Sequence, residues 1–139
     1  MIRGAVLALV PLVVVAAPVL AEHEVYYRYT VLGYVKDGAG KPKPSQTLEL
    51  IRDKTGFSYL GETDAEGLFV ITARLGDESA GEALTLRYGS VRTRVTARFD
   101  ARNHTEERGT RVDLEGNKAV ERPTWFRSTL TKLLSASGR

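Results

Sequence analysis

Beyond residue 24 the chain alternates between apolar and polar positions in short runs, each broken by turn residues. Residues 25–35 (VYYRYTVLGYV) are rich in β-branched and aromatic side chains, which suit a pleated, half-buried surface. The run KDGAGKP at 36–42 ends this strand, because its glycines accept positive φ and its proline fixes φ. Residues 47–52 and 57–62 predict a hairpin closed by Asp53-Lys54-Thr55-Gly56. A second turn, Thr63-Asp64-Ala65-Glu66-Gly67, leads into a strand at 68–73, and 76–81 is a polar loop. Residues 84–88 and 91–99 flank Gly89-Ser90, the pattern of a tight hairpin. In its second arm Val91, Thr93, Val95, Ala97 and Phe99 share one face, and Arg92, Arg94, Thr96 and Arg98 the other. Residues 100–110 are polar and read as a loop, and 111–114 as a last strand. About seven strands with no helix between them predict an all-β fold, an antiparallel β-sandwich.

At the C-terminus the period changes. Pro123 and Thr124 precede Trp125, Phe126, Thr129, Leu130, Leu133 and Leu134, which recur at three- and four-residue steps and make one apolar stripe. Thr124 is a suitable N-cap, and Gly138 a stop. The resulting C-terminal amphipathic helix, about 12 residues long, is too short to be stable alone in water. It needs a support, which is a protein partner, an anionic membrane surface touched through 124–137, or its own sandwich. Arg122, Arg127, Lys132 and Arg139, with no acidic side chain among them, make the tail at 122–139 basic.

The N-terminus carries an address. Arg3 precedes an apolar run at 5–15, and Val19-Leu20-Ala21 precedes the charged Glu22. This is the layout of a secretory signal peptide. It divides the chain into a signal at 1–21, a sandwich domain at 22–121 and the tail at 122–139. The mature protein is then expected to be periplasmic or secreted, starting after cleavage near Ala21. The alternative is an uncleaved N-terminal membrane anchor. Its length is near the lower limit of about 17 residues, and Pro11 and Pro18 oppose one straight helix.

Composition narrows the chemistry. With no cysteine the chain forms no disulfide, thiolate metal site or thiol nucleophile. A small exported domain without bridges fits a bacterial periplasm. A net charge of +3 is too balanced to imply nucleic acid. No serine sits in a glycine-flanked elbow, and no glycine-rich phosphate loop is present. No cofactor is expected. Carboxylate pairs such as Asp77-Glu78 and Glu106-Glu107 fall in loops, where they are solvated. His23, second in the mature chain, could chelate Cu(II) together with the free amine, or lie in a solvated terminus. His104 sits in a polar loop and is the other metal candidate. The arginine ladder of Arg92, Arg94 and Arg98, with Arg87 nearby, suits carboxylate or phosphate groups. The same ladder also serves as a charged edge that discourages sheet pairing.

Three segments carry a family resemblance: Gly33-Tyr34-Val35-Lys36-Asp37 with Gly40-Lys41-Pro42, then Thr47-Leu48-Glu49-Leu50, then Thr63-Asp64-Ala65-Glu66-Gly67-Leu68-Phe69-Val70. Together they resemble the carboxypeptidase regulatory-like domain, a transthyretin-like (prealbumin-like) sandwich. The resemblance implies an accessory or binding module, with Asp37, Gly40, Asp64 and Gly67 serving turns. The 5-hydroxyisourate hydrolases use a related sandwich, with H-V-L-D in the opening strand and Y-R-G-S at the chain end. Here Tyr34 stands at that histidine, and Arg87-Tyr88-Gly89-Ser90 is permuted and lies mid-chain. The expectation is therefore a non-enzymatic envelope accessory subunit that docks to a protein partner or larger complex. Its expected contacts are Trp125, Phe126, Leu130, Leu133 and Leu134 on the tail and Arg92, Arg94 and Arg98 on the sandwich. Metal binding through His23 is the alternative, and a transthyretin-type hydrolase comes last.

Overall fold

The computed structural model describes residues 27–137. The signal segment 1–21, its cleavage site, His23, positions 25–26 of the first predicted strand and the stop at Gly138 lie outside the described residues.

Among the described residues, eight strands form two four-stranded sheets. They are β1 (Tyr27–Lys36), β2 (Thr47–Arg52), β3 (Ser58–Glu62), β4 (Leu68–Leu75), β5 (Ala83–Tyr88), β6 (Val91–Thr96), β7 (Arg108–Glu115) and β8 (Lys118–Glu121), followed by the helix α1 (Phe126–Ser137). One sheet has the order β4-β1-β7-β8 and the other β3-β2-β5-β6. Period-2 alternation sends Val31, Val35, Phe69, Ile71, Val112 and Leu114 of the first sheet against Leu48, Leu50, Leu84, Leu86 and Val95 of the second, where all are buried. Every strand pair is antiparallel except β1–β7, which is parallel and pairs Tyr29 with Arg108 and Lys36 with Glu115.

Two details differ from the alternation pattern. The segment expected as a loop at 100–110 enters β7 at Arg108, whose charge hides an inward strand position. The last strand, β8, is only Lys-Ala-Val-Glu, too short and polar to show a period. The two aspartate turns behave as the motif implies. Asp37 Oδ1 accepts the N–H groups of Ala39 and Lys41, both at 2.9 Å. Asp64 Oδ1 accepts those of Glu66 and Leu68, at 2.8 and 3.0 Å. Gly40 and Gly67 stand three residues on with φ of +86° and +81°, a conformation that favours glycine.

The helix lies on the outer face of the first sheet. Residues of β1 and β7 that point away from the core are Thr30, Leu32, Gly109, Arg111 and Asp113. Leu32 is nevertheless fully buried, and it stands outside the inter-sheet cluster. The Phe126 ring occupies the space over Gly109 that a Cβ would fill, 2.6 Å from its ideal position. Thr129, one turn on, accepts from Arg111 Nη1 at 3.0 Å. The molecule is thus three layers, helix on sheet on sheet. No helix among the described residues is long and apolar enough to cross a membrane.

Candidate functional site

The start of α1 and the outward side of β7 build a polar cluster around a buried carboxylate. Asp113 leaves only 4% of its side chain exposed. An unpaired charge there would be very unfavourable, so its oxygens are fully engaged. It accepts the backbone N–H of Tyr34 at 3.0 Å, Nε of Arg111 at 3.0 and 3.1 Å, and Nη1 of Arg122. Nη1 of Arg122 also reaches Glu115 at 3.1 Å. Both guanidiniums then lie against the Trp125 ring, 5.1 and 5.2 Å from its centroid, and Arg111 is 5.0 Å from that of Tyr34. Tyr34, Lys36, Arg111, Asp113, Glu115, Arg122 and Trp125 enclose a pocket of about 190 Å³.

The tail residues expected at a partner contact divide by exposure. Phe126 is buried on its own sheet, Leu130 and Leu133 are half-buried, and Trp125 and Leu134 are 50% and 55% exposed. An apolar groove of about 320 Å³ runs beside the helix, between Leu133 and Ala136 on one side and Tyr34 and Leu68 on the other.

The arginine ladder lies on the outer face of the second sheet. Arg87 and Arg92 face each other across β5–β6, and Arg94 stands opposite Thr85. Arg87 Nη2 donates to Glu49 at 2.6 Å. The Ser58 hydroxyl first, and Arg87 second, hold the Glu49 carboxyl below its usual value. Arg92 and Arg94 have no ion-pair partner among the described residues. Arg98 shares their parity but lies past the end of β6, beside the start of the helix, where it lines a cleft of about 530 Å³ with Arg108, Phe126 and Arg127. Unlike the first sheet, this outer face carries no helix among the described residues. Leu60 of β3, opposite Glu49, is 69% exposed on this face, whereas Phe57, just before β3, packs edge-on against Tyr59.

His104 is held by local contacts. Its ring stacks on Tyr27 at 4.7 Å, and Nε2 meets Asp77 Oδ2 at 2.8 Å. Asp77 also accepts from Arg108 Nη2 at 3.1 Å. The His104 contact first, and Arg108 second, hold the Asp77 carboxyl below its usual value. The Arg108 guanidinium is buried between the rings of Phe99 and Tyr27, at 4.1 and 4.8 Å. Together these contacts pin the 98–107 segment to the end of the sandwich. Among the described residues no group of three His, Cys, Asp or Glu is placed to hold a metal.

The sequence singles out Tyr34 only as the residue standing at the hydrolase histidine, and passes over Lys36, Arg111 and Asp113. The one visible signal is Asp113 itself, an acid between two core residues of a strand. Neither protein-family models nor the curated proteins gave a match to this chain.

Proposed function

We propose that this chain is a non-enzymatic envelope protein, a binding or accessory subunit that docks its bare sheet face on an acidic patch of a protein partner. The observation that carries the reading is the asymmetry of the sandwich. Among the described residues one outer face is covered by α1, whereas the other carries no covering element and presents Arg87, Arg92 and Arg94 on β5 and β6 and the exposed Leu60 on β3. Arg87 is paired with Glu49, whereas Arg92 opposite it and Arg94 have no ion-pair partner among the described residues, which leaves their charge available to an acidic partner. Arginine with exposed apolar side chains is also the composition of interface anchors. The signal-like segment at 1–21 supports export, and the resemblance to the carboxypeptidase regulatory-like domain supports an accessory role.

The test is photo-cross-linking in cells from a reactive residue at position 94, with one at the exposed Thr72 of β4 as control. One discrete protein adduct from position 94, absent at 72 and abolished by the added change Arg92→Glu, is expected. No adduct from position 94, or an equal pattern from both sites, would overturn the reading.

A further inference from the structure

The Trp125 pocket lies on the opposite sheet from the proposed docking face and has a chemistry of its own. Three cations, Lys36, Arg111 and Arg122, stand around two carboxylates, Asp113 and Glu115. Asp113 is buried behind the guanidiniums it orients, and Glu115 is the one accessible carboxylate, so three cations face a single exposed acid at the pocket mouth. Several donors there are unused. Lys36 Nζ has no ion-pair partner among the described residues and sits 5.6 Å from the Tyr34 ring centroid. The indole N–H of Trp125 has no acceptor among them. Arg122 engages both of its carboxylates through Nη1.

The groups of the pocket are also tied to one another. A half-exposed tryptophan ordinarily keeps rotamer freedom, but this one is held at the helix start against two guanidiniums. Those are in turn fixed by a carboxylate that has no alternative partner in reach of water. Fixing the groups before the ligand arrives removes an ordering cost from binding. Trp, Tyr and Arg around a small concavity are the residue types that dominate binding energy.

We propose that this pocket binds a single oxyanion, a carboxylate or phosphate group, with Lys36 and Arg122 as its charged donors and Trp125 as the platform for the atoms that carry it. At about 190 Å³ the space holds one such group and a few further atoms. Asp113 is a positioning residue that acts through the two arginines. Glu115, at the rim, opposes the anion and sets an upper limit on its affinity.

Trp125 is the one tryptophan of the chain, so its emission reports on this pocket alone. The mature protein is titrated with inorganic phosphate and, separately, with N-acetylglutamate, each against sodium chloride at matched ionic strength. A saturable change with either probe, absent with chloride, is expected. Phosphate alone assigns a phosphate ligand, and N-acetylglutamate alone a carboxylate. Lys36→Gln should weaken binding about tenfold, the loss of one charged hydrogen bond, and Glu115→Gln should tighten it. Opposite signs from two surface changes cannot come from misfolding. Responses equal to chloride, or affinity unmoved by both changes, would overturn the proposal. Because the assay needs no partner protein, its failure is separate from that of the docking reading.

Discussion

At the scale of single residues, two glycines and two aspartates do different work. Asp37 and Asp64 repeat one local device, a carboxylate closing its own turn. Gly33 answers to a distant neighbour instead. A Cβ at Gly33 would stand 1.7 Å from the carbonyl oxygen of Val112, across the parallel β1–β7 pair. Its ladder position is where the Tyr34 N–H leaves the strand pairing for the Asp113 carboxylate. Gly33→Ala should therefore cost about 3 kcal/mol, the upper end of overpacking effects. Gly38→Ala, with nothing within 4 Å of the added carbon, should stay within about 0.5 kcal/mol. Urea unfolding midpoints of the two variants check this, and equal midpoints would show that β1 and β7 are not so close.

Between elements, the second sheet is tied to the 76–82 segment by one ion pair. Arg52, at the end of β2, donates through Nη2 to Glu82 at 3.0 Å and to the Ser79 hydroxyl at 3.2 Å. Glu82 leaves 11% of its side chain exposed. The Arg52 hydrogen bond is the main reason its carboxyl is held below the usual value. A depressed folded value means that the stabilisation is fully present above the ordinary glutamate range, near pH ~4.3. It is lost as pH falls through the folded value. Glu82→Gln should lower stability at pH 7 and flatten the acid limb of a stability–pH curve. A limb as steep as the parent's would assign acid unfolding to other carboxylates. Arg92 and Arg94 act at this scale too, since β6 is an edge strand and its charges discourage pairing with another sheet.

For the whole molecule, the decisive feature is that the tail is a layer. The periodicity at 125–134 requires a support and leaves three candidates open, whereas the fold places that support on the outer face of β7. Removing 122–139 would strip Phe126 from Gly109 and take Arg122 from Asp113. The expected loss is about 3 to 5 kcal/mol, the scale of deleting a large buried aromatic. The check is a urea midpoint of the truncated chain against the full one. An unchanged midpoint would mean that the helix contributes no stability and is free for a partner. The exposed remainder, Trp125 and Leu134, leaves the helix able to contribute to a contact while packed on its own sheet.

Local physics was legible in the chain itself. Turn positions follow from aspartates that close their own loops and glycines that accept positive φ. Strand faces at 91–97 follow from a period of 2, and the helix from a period near 3.6. Those signals are carried by residues a few positions apart, so consecutive sequence is enough to set them. The rest was decided by partners far along the chain. Tyr34 meets Asp113 across 79 positions, and only the parallel pairing of β1 with β7 brings them together. The same pairing adds Tyr34 and Lys36 to Arg111, Asp113, Arg122 and Trp125, which the β7–β8 hairpin gathers, and so completes one pocket. Arg108 looks like a loop cation until Phe99 and Tyr27 close on it. Burial is a property of whatever covers a side chain, and no local pattern encodes what that cover is.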